Sequence, residues 1–417
     1  MQNRTETAAH IVFFLTQDLQ SPSGLGRYLP WAKYLAREGY RVTILALHSN
    51  FDSLSEREFI NDGVQVRYVA QMHVRKANNK TEYFSPLRLI KVSLEATRAL
   101  FQAGSREDVD ILLIAKPHPM NSIAGLWVSR KKRLPVILDC DDYEAESNHT
   151  SSSWQKAILR FFENSMPKKV DLVTTNTYFN KNRMVKLGIP EEKIHYIPNG
   201  VDTERFWEIP AETVAQKKTE LGLKDKKVIA YLGSLSLANH PVDFLFKAFA
   251  EIAQKHDEAR LLIVGGGKDL DTLKSLSVEL GIGEKTIFTG RVRPDEMNLY
   301  YQLADVSIDP ANHTLADCGR CPLKIFESWQ MGVPVVSSDV GDRTILAGEP
   351  PAILLAKSND PRELSRLLLD LISDEEKLLA MRNQGYERIQ QYYWEGITRR
   401  SLEIFNKLIH RKTDEHG

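Results

Sequence analysis

Residues 322–338 read PLKIFESWQMGVPVVSS, and the reading of the fold starts from this stretch. A proline at the first helical position has its φ preset and gives up only an N–H that a helix start leaves unpaired. Leu323, Phe326 and Trp329 then repeat on one helical face, and Gly332 followed by Pro334 stops the helix. Residues 333–338 read as a short buried strand. The pattern predicts a helix locked onto a strand, with its N-terminus turned toward a ligand. Such a terminus favours anions, phosphate above all. Lys324 falls in that first turn, where a cation is disfavoured by about 0.3–1 kcal/mol unless an anion joins it. Glu327 lies three residues on, close to the same face, so a solvated Lys324–Glu327 pair is the competing reading.

The rest of the chain supplies the alternation that such a helix needs. Residues 10–16 read as a buried strand. Gly24 and Gly26 make a tight loop into an amphipathic helix carrying Tyr28, Trp31 and Leu35, and residues 41–47 form the next strand. Strand, glycine loop, helix, strand is one βαβ unit of a parallel sheet. Residues 64–70 read as a strand and residues 86–101 as a helix, and the polar stretch between them, HVRKANNKTEYFSP, reads as a loop without periodicity. The strand at 110–115 ends on Lys116-Pro117-His118-Pro119. The strand at 135–138 opens on Asp139-Cys140-Asp141-Asp142-Tyr143-Glu144. In the second half, strands are expected at 227–233, at 259–264 before Gly265-Gly266-Gly267, at 287–292 and at 304–310. A doubly wound α/β sheet binds ligands at the carboxyl ends of its strands, which is where Gly24, Gly26, Arg27, Lys116 and His118 then fall.

Composition bounds the alternatives. A chain of 417 residues is too long for one ordinary core, so two domains of similar size are expected. Formal net charge is zero, but the first 200 residues carry an excess of Lys and Arg and residues 201–390 an excess of Asp and Glu. A basic first half suits an anionic membrane surface or an acidic acceptor, and nothing in the pattern asks for a nucleic acid. Three cysteines, Cys140, Cys318 and Cys321, make no disulfide framework and fit a reducing compartment. Cys318-Gly319-Arg320-Cys321 lacks the further ligands that a metal site needs. The apolar run at 11–15 is too short for a signal peptide or a membrane span, so a cytoplasmic protein, at most peripheral to a membrane, is expected.

Pro-x-Lys-x-x-Glu followed by Gly-x-Pro-Val-Val resembles the donor-binding helix of the group 1, family 4 glycosyltransferases of the GT-B fold. Ile-Pro-Asn-Gly-Val-Asp at 197–202 and Phe-Thr-Gly-Arg-Val at 288–292 are similar to further segments of that family. The resemblance spans nearly the whole chain. It implies two Rossmann-like, doubly wound α/β domains with a cleft between them. Residues 1–200, completed by a C-terminal helix at 391–417, are the acceptor side, and residues 201–390 bind the nucleotide-sugar.

The resemblance also implies roles. Glu327 holds the ribose. Arg320, Lys324 and the helix N-terminus hold the diphosphate, and the segment at Arg291 and Val292 holds the base. Gly265 and Gly266 let the nucleotide lie against backbone. Ser234 and His240 stand where the family commonly has an arginine and a lysine on the diphosphate. His118 lies near the transferred sugar, and His118, Lys324 and Glu327 are the catalytic candidates. Gly24 and Gly26 touch acceptor or donor phosphates, with Arg27 a phosphate ligand or a surface residue. Lys116 and Asp141 belong to the acceptor side. Gly319 replaces a family glutamate that contacts the donor sugar. The implied reaction is retaining transfer of a sugar from a UDP- or GDP-sugar to a hydroxyl of a glycan, a polysaccharide precursor or a lipid-linked acceptor, without cofactor or metal. A non-catalytic nucleotide-sugar-binding paralogue and an epimerase of the same fold remain the alternatives.

Overall fold

Strand residues 10–15 are buried on both faces, the mark of a parallel sheet covered by helices on each side. Ile11, Phe13 and Leu15 enter one core, and Val12 and Phe14 enter the other. The computed structural model describes residues 8–77, 80–147, 152–357 and 360–414. The chain divides into two compact units, 1–199 with 319–321 and 394–417, and 200–318 with 322–393.

In the first unit the strands are β1 (His10–Leu15), β2 (Arg41–His48), β3 (Glu58–Asn61), β4 (Val64–Gln71), β5 (Val74–Ala77), β6 (Lys80–Tyr83), β7 (Ile111–Ala115), β8 (Val136–Cys140), β9 (Leu172–Thr175) and β10 (Ile194–Tyr196). Among the described residues the main sheet runs β10-β9-β8-β7-β1-β2-β4-β3. All its pairs are parallel except β3 with β4. The order reverses at β1, so β1 and β7 flank a switch point whose carboxyl ends form a natural crevice. Lys116 and His118 follow β7 directly. The polar stretch expected to be a loop instead forms the antiparallel hairpin β5–β6, with residues 78 and 79 outside those described. Its cross-strand pairing, Val74 with Tyr83 and Lys76 with Thr81, is a tertiary outcome that period counting over so few residues does not reveal.

The C-terminal helix Trp394–Asp414 packs on this unit, sending Ile397, Ile404, Phe405 and Leu408 into the core that holds Trp31. Trp394 is fully buried, stacks on Trp31 with centroids 6.3 Å apart and donates from Nε1 to Gly26 O at 2.9 Å. Trp394→Ala is expected to cost about 3–5 kcal/mol, the range for large-to-small core changes. A chemical-denaturation midpoint within error of the parent's would contradict that packing.

The second unit carries β11 (Lys227–Leu232), β12 (Ala259–Val264), β13 (Thr286–Gly290), β14 (Val306–Asp309), β15 (Val335–Ser338) and β16 (Ile353–Ala356). They form a parallel sheet in the order β13-β12-β11-β14-β15-β16. This is the Rossmann order, with its switch point between β11 and β14. The helix Leu323–Gln330 connects β14 to β15 with Pro322 at its N-cap, one position earlier than expected. Ile325, Phe326 and Trp329 are buried beneath it.

Candidate active site

The switch point of the second unit gathers the donor candidates. β11 ends at Leu232 and leads into Gly233 and Ser234, while β14 ends at Asp309. Asp309 is buried and takes an ion pair from Arg343 Nε at 2.7 Å and a longer one from Lys324 Nζ at 3.5 Å. Burial by itself would raise its pKa, but Arg343 and Lys324 outweigh it and hold the carboxyl at about 2. The Lys324 ammonium also lies over the Tyr231 ring, 4.3 Å from its centroid. It is 3.3 Å from the point a side chain at Gly233 would occupy. Lys324 therefore does not pair with Glu327. Glu327 accepts a hydrogen bond from the Tyr301 hydroxyl at 2.7 Å instead. Burial and the neighbouring Glu327 push the Tyr301 phenol well above its ordinary pKa, so it stays a donor.

The glycines here serve close backbone approach. A Cβ on Gly265 would lie 1.9 Å from Gly233 O, and one on Gly267 would lie 2.2 Å from Leu235 O. The loops after β11 and β12 thus lie flat against each other. Gly266 neighbours Arg291, which is exposed, with Val292 half-buried beside it. Tyr231 donates to Ser234 O at 2.8 Å. His240 adds to the field that keeps Asp309 ionised. Arg320, expected on the diphosphate together with Lys324, lies outside the helix that carries Lys324. The helix begins at Leu323, and residues 319–321 group with the first unit. Asn180 Nδ2 donates to Gly319 O at 3.0 Å and Asn199 Nδ2 to Cys321 O at 2.8 Å, which fixes that segment there.

The switch point of the first unit holds a buried charge cluster. Lys116 adopts a left-handed conformation, φ +67°, a strained choice for a lysine. Asn121 supports the turn by donating to Lys116 O at 3.1 Å and to Ala115 O. The turn sends the Lys116 ammonium to Asp141 Oδ1 at 3.0 Å, Asp142 Oδ2 at 3.1 Å and Glu144 Oε1 at 2.8 Å. His118 Nε2 meets Glu144 Oε2 at 2.9 Å. The His118 ring stacks on His73 with centroids 6.1 Å apart. Burial and the neighbouring His118 lower the pKa of His73 to about 4, so it is neutral at neutral pH. Burial, against the pull of Lys116, raises Asp141 to about 7. Glu144 moves the opposite way: Lys116 and His118 outweigh its burial and keep it ionised. The oxygens of Asp141, Asp142 and Glu144 lie close enough to suit a metal ion, but the Lys116 ammonium contacts all three carboxylates.

Two expectations for this unit are corrected. Gly24 and Gly26 do not form a loop; they lie in a π-helical turn, Gly24–Tyr28, that runs into the helix Leu29–Arg37. A Cβ on Gly24 would sit 2.5 Å from Asp18 O, so the backbone contact there already demands glycine. Arg27 is neither a phosphate ligand nor a surface residue. It is fully buried, donates from Nε and Nη2 to Asp139 at 2.7 and 2.6 Å, and gives Nη1 to Ile197 O and Asn199 Oδ1. An arginine consumed by such a fork braces the sheet and the chain exit at 197–199.

Asp309, Arg343, Tyr231, Tyr301 and Glu144 were not singled out from the sequence. Asp309 and Glu144 had a signal, an acid at or just past the carboxyl end of a strand. Tyr231, Tyr301 and Arg343 had none, since each reads as an ordinary core or surface position until the strands are placed.

The family model described as Glycosyltransferase Family 4 matches residues 24–205, and the one described as Glycosyl transferases group 1 matches residues 214–388. The chain belongs to the group 1, family 4 glycosyltransferases. Among curated relatives, this chain is 29% identical over 236 residues to a "GDP-mannose-dependent alpha-(1-6)-phosphatidylinositol monomannoside mannosyltransferase" of Mycobacterium tuberculosis. That match covers 54% of this chain and 59% of the relative. It is 27% identical over 225 residues to the alpha-monoglucosyldiacylglycerol synthase of Streptococcus pneumoniae, covering 52% of this chain and 48% of the relative. The chain thus spans about half to three-fifths of the length of these relatives. In fold it is similar to sucrose-phosphate synthase from Thermosynechococcus elongatus, with TM-score 0.76 at 16% identity over 97% of this chain and all of that one. It is also similar to Anabaena HepE in complex with UDP and glucose, with TM-score 0.70 at 18% identity over 95% of this chain and 99% of that one. Both likenesses fit the GT-B fold.

Proposed function

We propose that the protein transfers a sugar, with retention of configuration, from a nucleotide-diphosphate donor to a hydroxyl acceptor. The observation that carries this reading is the Lys324 ammonium at the second unit's switch point. It is held between Asp309 and the Tyr231 ring, close to Gly233, at the N-terminus of the helix Leu323–Gln330. Departure of a nucleoside diphosphate requires stabilisation of developing negative charge, and a pre-placed cation beside a helix N-terminus supplies it. In this reading Glu327, oriented by Tyr301, accepts from the ribose hydroxyls, and Gly265, Gly266, Arg291 and Val292 border the base. Lys116, His118, Asp141 and Glu144 serve the transferred sugar and the acceptor.

A UDP- or GDP-sugar fits the donors printed in the names of the relatives and neighbours. A lipid-linked or lipid acceptor is favoured by the relatives' names and by the helix Ser153–Ser165, which exposes Trp154, Ile158 and Phe161 beside Lys156 and Arg160. Apolar and basic side chains displayed together suit peripheral contact with an anionic membrane. Among the described residues no helix is long and apolar enough to cross a membrane.

The test incubates purified protein with UDP- and GDP-sugars and with lipid and glycan acceptors, and follows nucleotide release and product mass. Transfer with the donor's anomeric configuration kept in the product, read by NMR, is expected. Donor binding without turnover would favour the non-catalytic reading, and a donor epimerised without transfer would favour an epimerase. Because Lys116 supplies the positive charge at the carboxylate trio, we expect EDTA to leave the rate unchanged. A rate abolished by EDTA and restored by Mn²⁺ would hand that trio to a metal.

A further inference from the structure

Several buried carboxylates lie outside the assignments above, and Glu163 is one of them. Glu163 lies on the helix Ser153–Ser165, whose other side chains are exposed or half-buried, and it is fully buried itself. Burying a carboxylate costs several kcal/mol unless hydrogen bonds and a counter-charge compensate, as a rough rule. Here two backbone donors of one short segment and the guanidinium of Arg183 compensate. Glu163 Oε1 accepts from the backbone N–H of Glu144 at 3.0 Å, and Oε2 accepts from the N–H of Ala145 at 2.9 Å. Arg183 Nη2 reaches Oε1 at 3.2 Å, and the same guanidinium lies over the Tyr143 ring, 4.2 Å from its centroid. These N–H groups belong to the first turn of the helix Glu144–Ser147, where donors lack partners within the helix. Such donors are ordinarily capped by the residue just before the helix. In this protein a different helix supplies the cap.

We propose that Glu163 is a positioning residue for the reaction: it fixes the backbone at 143–145 so that the Glu144 carboxylate spans Lys116 and His118. The inference rests on the proposed glycosyl transfer for its kinetic consequence, but its geometric consequence stands alone. One Glu144 oxygen meets Lys116 at 2.8 Å and the other meets His118 at 2.9 Å. That double engagement tolerates little movement of the Glu144 backbone. A carboxylate suits the task because both oxygens accept. A glutamine with its oxygen in the Oε1 place still accepts from the Glu144 N–H and Arg183, but it turns its amide hydrogens toward the Ala145 N–H, donor against donor. Burial against the pull of Arg183 lifts Glu163 to about 7, with Glu144 as the nearby like charge. The arrangement is thus held at an energetic cost that an apolar residue would avoid, as expected of a group kept for position rather than for stability.

The test compares Glu163→Gln and Glu163→Asp with the parent. In Glu163→Gln, kcat should fall about tenfold to a hundredfold with donor KM within about twofold, as expected for loss of fixed positioning near the chemistry. Glu163→Asp, which keeps two acceptor oxygens, should recover part of the loss. A crystal structure of Glu163→Gln should show the Glu144 carboxylate out of hydrogen-bond range of His118. That readout separates the two ideas. If the parent transfers no sugar, the functional reading fails while the displacement still tests the positioning. Unchanged kcat in Glu163→Gln, an unmoved Glu144, or a loss of kcat and donor binding together that Glu163→Asp does not relieve would each overturn the proposal. If Glu163→Gln does not fold, a Glu163→Asp protein with full donor affinity and unreduced kcat would also overturn it, because shortening the side chain must disturb the cap.

Discussion

Lys324→Ala is expected to weaken donor binding and slow turnover together, each by about tenfold or more. One charge-assisted hydrogen bond to phosphate contributes about 1.5–3 kcal/mol, and tenfold corresponds to about 1.4 kcal/mol. The family commonly places an arginine and a lysine on the first loop of the donor domain. This chain has Ser234 and His240 there and a lysine on the helix instead. The Lys324 ammonium reaches back to within 3.3 Å of a side-chain position at Gly233, so a cation from the helix stands beside the loop that lacks one. The substitution should leave the fold intact, because Arg343 still neutralises Asp309 at 2.7 Å. Ser234→Arg in the Lys324→Ala background should restore part of the binding. Calorimetry with UDP or GDP and steady-state kinetics check both. Parent-like donor affinity in Lys324→Ala would reduce Lys324 to a structural partner of Asp309 and Tyr231.

His118→Ala should have the opposite profile, a fall in kcat of about a hundredfold, the order found when one aimed polar group is removed from a reacting centre, with donor affinity unchanged. His118 belongs to the first unit and the donor candidates Lys324 and Glu327 to the second, so its loss should not touch nucleotide binding. It sits at the β1–β7 switch point, with Glu144 on Nε2 and the neutral His73 stacked against it. Nucleotide binding measured alongside turnover gives the split. Unchanged turnover would remove His118 from the chemistry and leave Lys116 and Asp141 as the groups facing the sugar.

Both substitutions were legible before any coordinates, because each stands where a short local pattern fixes its environment. A proline-led helix closed by Gly332 and Pro334 puts Lys324 and Glu327 in its first two turns. A strand of apolar residues ending at Ala115 puts Lys116 and His118 at its carboxyl end. Local patterning failed where pairing partners lie far along the chain. The hairpin at 74–83 depends on cross-strand contacts, and the fate of Arg27 depends on Asp139.

The sequence by itself determined the alternation of strands and helices, the family resemblance and the position of the helix that carries Lys324 and Glu327. These follow from periodicity, from proline and glycine stereochemistry and from motifs a few residues long, all of which act locally. Only the tertiary structure decided which partner each buried polar group takes inside the fold. It buried Arg27 in a fork on Asp139, parted Lys324 from Glu327 by giving them Asp309 and Tyr301, and set Glu144 between Lys116 and His118 with Glu163 on its backbone N–H. The physical reason is that a buried charge takes the partner that best repays its lost hydration, and that partner is chosen by which strand ends the sheet order brings together.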